Sequence, residues 1–252
     1  MIHFVGAGCG AADLITVRGK NLLEQADVII YAGSLVNPAL LDYKKAGCRV
    51  YDSAKMTLEE VLSVMHEAEE QGLTTVRLHT GDPCLYGAIR EQMDELDKKG
   101  VAYDYCPGVS AFSGAAAALK MEYTLPDISQ SVVITRMAGR TPVPERESVR
   151  SFAAHGATMG LFLSAGLLEQ TQTELLAGGY SENTPAAIVY KASWPDEKAC
   201  LCTVGTLADC ARENGISKIA LIIVGDAVKQ SGYARSKLYD PTFTTEYRAA
   251  KE

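Results

Sequence analysis

"VRLHTGDPCLYG", residues 76–87, changes from strand to loop at its middle. Val76 and Leu78 alternate with Arg77 and His79, the period-2 pattern of a β-strand. Thr80-Gly81-Asp82-Pro83 then stops it. A glycine there lets a ligand approach the backbone closely, and in open parallel sheets ligands sit at strand carboxyl ends. "IHFVGAGCGAADLIT", residues 2–16, breaks off the same way in Gly6-Ala7-Gly8-Cys9-Gly10. A third break is "YCPGVSAFSGAAAALK", residues 105–120, where Pro107-Gly108-Val109-Ser110-Ala111 leads into small residues.

Outward from these loops, short apolar runs alternate with helix-period segments. Strands are expected over 2–5, 27–31, 48–51, 75–79 and 102–106 in the first half. In the second half they are expected over 131–135, 160–164, 186–190, 200–204 and 219–224. Thr57-Leu58-Glu59-Glu60 is a capping box, and Leu58, Val61, Leu62, Met65 and Ala68 form one apolar helical stripe behind it. Strand–helix alternation predicts an α/β protein: two α/β domains, each with a mostly parallel five-stranded sheet. The hinge is expected in "KMEYTLPDISQS", residues 120–131, where Pro126 and polar residues interrupt the pattern. This divides the chain into domains over 1–123 and 124–230 and a polar tail over 231–252.

The 252 residues suffice for two cores, and 47% hydrophobic with 22% charged residues is ordinary globular composition. A net charge of −7 argues against nucleic acid as a partner but leaves room for an anionic small molecule held by local arginines. No apolar run reaches the roughly 18 residues of a membrane span, and the first strand leaves no room for a leader, so a cytoplasmic protein is expected. Seven cysteines without a C-x-x-C pair read as reduced, mostly buried thiols, and four histidines without ligand spacing give no metal site.

The first loop invites a dinucleotide reading, which the residues oppose. The third glycine of G-x-G-x-x-G is replaced by Ala11, and Thr16 rather than the loop caps the next helix. The second strand ends in Tyr31-Ala32-Gly33-Ser34, without the acidic residue a ribose needs. A tight turn with no ligand stays open for this loop. For Asp82 two roles stay open: accepting hydrogen bonds from a ligand, or capping a helix from Leu85.

Taken together and in this order, the three loops resemble those of the tetrapyrrole methyltransferases that use S-adenosyl-L-methionine. Val5 to Ala12 stands for V-G-A-G-P-G-D-P, Gly81 to Pro83 for G-D-P, and Pro107 to Ala111 for P-G-V/I-(S/T)-A. The likeness continues through "MGLFLSAGLLEQ" (159–170), "TPAAIVYKASWPDE" (184–197) and "VGTL" (204–207). Departures fall at Cys9 and at Ala11-Ala12, where the family has Pro and Asp-Pro. "YAGSLVNPALL" (31–41) and "ITRMAGRTPVPERE" (134–147) are similar to the branch that methylates C11 of precorrin-4 or cobalt-precorrin-4. Ala32, where enzymes of the sirohaem route carry an acidic residue, points away from that route.

The resemblance implies a homodimer with the cofactor in a cleft between the two domains and S-adenosyl-L-homocysteine as product. It implies cofactor contacts at Cys9, Thr80, Gly81, Asp82, Leu85, Ser110, Ala111, Ala165 and Ala192. Gly6, Gly8, Gly10 and Ser34 would face the tetrapyrrole. His79, Asp82 and Tyr86 border the transfer point, and none is required as a base, because a sulfonium methyl is already activated; for His79, simple packing on a strand stays open. Arg136 and Arg140, with Arg146 behind them, are the expected cations for the substrate's acetate and propionate groups, unless that loop is merely solvated. The alternatives are another precorrin or uroporphyrinogen-III C-methyltransferase, or a nucleotide-binding module without methyl transfer.

Overall fold

The protein is described by a computed structural model over residues 1–250. The chain divides into two compact units. One comprises Met1–Ala115 and Lys191–Glu197, the other Ala116–Tyr190 and Lys198–Glu252. The break therefore falls before the expected hinge at 120–131, and the short segment after residue 190 is counted with the first unit rather than with its neighbours in sequence.

The first unit is built on strands β1 (Ile2–Gly6), β2 (Val28–Tyr31), β3 (Arg49–Asp52), β4 (Thr75–His79) and β5 (Tyr103–Cys106). They form one sheet in the order β3-β2-β4-β1-β5, and all four pairings are parallel. Helices α1 (Val17–Gln25), α2 (Leu58–Glu70) and α3 (Arg90–Lys98) connect the strands, and α4 (Ala111–Leu119) follows β5. Alternate residues of each strand go to opposite faces. Val5, Ile29 and Leu78 pack with Leu23 and Leu40, whereas Phe4, Val28 and Ile30 pack with Met65 of α2 and Leu96 of α3. A sheet covered on both faces needs such near-continuous apolar strands. Thr16 caps α1 by accepting from Gly19 N at 3.0 Å, and the Thr57–Glu60 capping box opens α2.

The second unit carries β6 (Val132–Arg136), β7 (Thr158–Phe162), β8 (Pro185–Tyr190), β9 (Lys198–Thr203) and β10 (Ala220–Val224), with α5 (Val149–Ala153), α6 (Leu168–Ala177) and α7 (Leu207–Glu213). Its strand order is β6-β7-β10-β8-β9. All ten expected strands are present, each within two residues of its expected limits. The expectation of a mostly parallel sheet is corrected here. Only β6–β7 is parallel, and the three other pairings are antiparallel. For β8–β9 the reason is their connection, residues 191–197, since a parallel crossover needs roughly a dozen residues or more; β10 is antiparallel to both strands it lies between. The core of this unit gathers Met159, Leu161, Ile188 and Ile222 against Val149, Leu175 and Leu207.

All seven cysteines are free, with Cys9 and Cys106 buried, Cys84 exposed and the rest intermediate, so the expected burial holds for two of them. Among the described residues no helix is long and apolar enough to cross a membrane.

Candidate functional site

Parallel pairing brings the ends of β1, β4 and β5 level, with Gly6 beside His79 and Val5 beside Cys106. The three loops that leave these ends interlock through their backbones. Ala7 N donates to His79 O at 2.7 Å. Gly8 and Gly81, at φ +81° and +60°, then form an antiparallel bridge. A side-chain carbon on Gly6 would lie 2.5 Å from Gly108 Cα and 2.8 Å from Gly81 O, and one on Gly108 would lie 2.3 Å from Gly81 O. Three backbones meet where only glycine fits.

Asp82 fastens this junction. Its carboxylate accepts from Cys84 N at 2.9 Å, from Gly108 N at 3.0 Å and from the Tyr105 hydroxyl. Burial opposes the charged form, but the bonds from Tyr105, Cys84 and Gly108 outweigh it and hold the pKa below the ordinary carboxylate value. No helix starts at Leu85, since α3 begins at Arg90, so the capping role for Asp82 is replaced by that of a strut between two loops. Gly81 lies over the start of α4, where a side-chain carbon on it would be 3.3 Å from Ala111 N. Ser110 Oγ accepts from Phe112 N at 3.2 Å.

The first loop runs past Cys9 and Gly10 into a 3-10 turn, Ala12–Leu14, before α1 begins. No helix N-terminus faces the loop, and the dinucleotide reading loses its phosphate site. Cys9 is buried, its Sγ 3.4 Å from Ser193 Oγ, and it touches the Gly114 position beside Ala192. A side-chain carbon on Gly10 would lie 2.3 Å from Trp194 Cδ1, and one on Gly8 2.9 Å from Leu14 O. Packing within the unit thus accounts for glycine at positions 6, 8 and 10 without a ligand. Ser34 is exposed beyond β2. Thr80 Oγ1 donates to Leu35 O at 3.3 Å.

Beside the junction, a cavity of about 290 Å³ opens within the first unit at the carboxyl ends of β2 and β4. From β2 the chain passes outward to β3, and from β4 it passes the other way to β5, which makes this the switch point of the sheet. Arg77, His79, Thr80, Leu85, Tyr86, Glu91 and Gln92 belong to its lining. Arg77 is 6% exposed and His79 5%. Burial, then the charge of Arg77, pushes the His79 pKa down to about 3, so its ring is neutral, and its Nε2 has no hydrogen-bond partner. Tyr86 and Ala88 hold φ of +57° and +49°, strain of the kind that gathers at ligand loops.

The chain matches the family model of tetrapyrrole (corrin/porphyrin) methylases over residues 1–208. It belongs to this family. Across 98% of its length it is 53% identical to a cobalt-precorrin-4 C(11)-methyltransferase of Methanocaldococcus jannaschii, covering 95% of that protein. It is 44% identical, over 100% of its length and 99% of the relative's, to a precorrin-4 C(11)-methyltransferase of a Sinorhizobium species. Its fold matches the X-ray structure of a cobalt-precorrin-4 methyltransferase of cobalamin biosynthesis with a TM-score of 0.88 and 48% identity, over 90% of this chain and 95% of that one. The chain thus shares its family and nearly its whole length with relatives named for precorrin-4 C(11) methylation.

For this tetrapyrrole methylase the arginine loop needs revision. Arg136, at the end of β6, donates to the carbonyls of Met137, Thr141 and Pro142 at 3.1, 3.2 and 2.8 Å. Its fork closes its own loop instead of standing ready for a carboxylate. Arg140 is exposed, and Arg146 sits 3.4 Å from Glu147. Ala165 is a buried residue of the second unit, beyond β7. The buried Arg77 went unread as a site residue. Its signal was a charge inside a central parallel strand, where both faces are covered and the polar side of an alternating pattern has no water to face.

Proposed function

We propose that this methylase transfers a methyl group from S-adenosyl-L-methionine to C11 of cobalt-precorrin-4. The observation that carries the reading is the near end-to-end identity of 53% with a relative named for that reaction, against 44% for a relative named for precorrin-4. The methionine end of the cofactor lies against the Thr80-Gly81-Asp82 turn and the Ser110–Ala111 start of α4, with Cys9, Leu85 and Ala192 at its flank.

The chemistry asks little of side chains beyond placement. A ring carbon of the reduced tetrapyrrole attacks the methyl in line with the departing sulfur, and S-adenosyl-L-homocysteine leaves. Holding the two partners aligned contributes about 7–11 kcal/mol in well-oriented systems. Asp82 already accepts from three donors and its pKa is held low, and His79 stays neutral, so the role of both is positioning rather than proton transfer. The rigid junction of three glycine loops supplies the fixed frame that such placement needs. The same reading makes the enzyme a cytoplasmic homodimer acting on a free tetrapyrrole, with no nucleic acid or membrane as partner.

Steady-state methylation of cobalt-precorrin-4 and of metal-free precorrin-4 by the same preparation tests the substrate. A higher kcat/KM for the cobalt form is expected; preference for precorrin-4 would overturn that choice, and turnover of uroporphyrinogen III alone would overturn the whole assignment.

A further inference from the structure

The cavity at β2 and β4 holds a buried cation with no anion. Arg77 Nε donates to Gln92 Oε1 at 3.1 Å, and Nη1 donates to Ile30 O at 3.2 Å. Both acceptors are neutral. Burial alone lowers the Arg77 pKa, to about 10, with no acidic side chain acting on it, so the guanidinium is charged at neutral pH and unbalanced. Glu91, the one carboxylate in the lining, is exposed. On the same face of β4, two residues on, His79 is buried with Nε2 unpartnered. Ser53, Thr57 and Thr80 add hydroxyl groups to the wall. A desolvated charge is costly unless it is paired, and an unpaired buried donor adds to that cost.

We infer that this cavity is a carboxylate subsite, in which one acetate or propionate arm of the tetrapyrrole is received by Arg77 and His79. At about 290 Å³ it lies at the small end of ligand pockets and suits one arm of a large polyanion rather than a macrocycle. A guanidinium and a carboxylate pair as a two-pronged fork, and a neutral imidazole with its proton on Nε2 donates a third bond. Seating one arm at the switch point of the sheet fixes the ring's rotation and so selects which ring carbon meets the methyl group. The identity of the arm's owner rests on the methyltransferase reading; the carboxylate chemistry does not.

Gln92→Glu is the incisive variant. It sets a carboxylate where the amide oxygen now accepts from Arg77, at the expense of the amide's bond to Ala88 O, and so satisfies the guanidinium from within. Arg77→Met, which removes the charge at similar length, is the second variant should the first fail to fold. Either folded variant should raise KM for cobalt-precorrin-4 by about tenfold or more and leave S-adenosylhomocysteine affinity unchanged. An unchanged KM overturns the subsite. A loss of S-adenosylhomocysteine affinity of the same size gives the carboxylate to the cofactor's methionine and overturns the substrate arm. A titration with sodium propionate, followed on the His79 imidazole resonances, needs no turnover and separates this idea from the functional reading. Displacement in wild type and none in Gln92→Glu supports the subsite even if cobalt-precorrin-4 is not methylated; the same response in both, or in neither, overturns it.

Discussion

Gly8 and Gly81 exchange two backbone hydrogen bonds: Gly81 N donates to Gly8 O at 2.8 Å, and Gly8 N donates to Gly81 O at 3.2 Å. The loop after β1 and the loop after β4 are therefore one structure. A sequence with two glycine-rich strand ends poses a choice between two ligand loops, and the fold removes the choice by joining them. Asp82 adds the third loop through Gly108.

Replacement of Gly6 or Gly108 by alanine should damage folding more than binding, since each new carbon would meet another loop's backbone within 2.3–2.5 Å. Overpacking of this kind typically costs about 1–3 kcal/mol. Denaturant unfolding of Gly6→Ala, Gly108→Ala and Gly166→Ala checks this, since a carbon on Gly166 would make only ordinary contact, 3.5 Å from Ser217 O, and its φ is not positive. Equal losses in all three would mean that the close approach of the loops does not set the cost.

Asp82→Ala should strip partners from Gly108 N and the Tyr105 hydroxyl and cost about 1–3 kcal/mol. Tyr105→Phe removes only one bond of the strut and should cost less, about 0.5–1.5 kcal/mol, while weakening S-adenosylhomocysteine binding in the same direction. Calorimetry on both variants decides between strut and ligand. If Tyr105→Phe binds as wild type while Asp82→Ala does not, Asp82 acts on the cofactor directly.

The strands were legible because apolar alternation is a local property, and the caps at Thr16 and Thr57 because they span three or four residues. Strand direction in the second sheet was not, since β10 threads between β7 and β8 and no local pattern encodes that. The motif glycines were visible, but their reason was not. Gly6 and Gly108 each exclude a side chain on account of the other and of Gly81 O, and the three lie far apart in the chain. Arg136 looked like a free cation because its composition suits a reaching loop. Three carbonyls of the local turn occupy it instead. Arg77 was hidden for another reason: the alternation Val76–Arg77–Leu78–His79 shows a strand but not that both its faces are covered.

Arg136→Ala should therefore cost stability, by about 1.5–3 kcal/mol for the charge-assisted bonds it makes. Arg140→Ala should leave stability within roughly 0.5 kcal/mol, as exposed substitutions do. Thermal unfolding of the pair checks the contrast. A stable Arg136→Ala whose KM for the tetrapyrrole rises would restore the clamp role to Arg136.

The buried His79 makes an acid-sensitivity prediction. Its pKa is 6.5 in the ordinary state and about 3 in the fold. Between these values the unfolded chain takes up a proton that the folded chain refuses. This contribution to stability is complete above the ordinary value and is lost as pH falls towards the folded one, at up to roughly 1.4 kcal/mol per pH unit. His79→Gln should flatten the decline in Tm between about pH 6.5 and 5, above the ordinary carboxylate range. Parallel slopes for wild type and variant would show that His79 is charged in the fold.

The most direct test of the account is the position of the new methyl group. The enzyme is incubated with cobalt-precorrin-4 and S-adenosylmethionine carrying a ¹³C-methyl group, and the product is read by mass spectrometry and carbon NMR. One added methyl, bonded to C11, with an equal amount of S-adenosylhomocysteine formed, is the predicted result; a methyl at any other ring carbon, or none at all from a folded enzyme that binds S-adenosylhomocysteine, would contradict it.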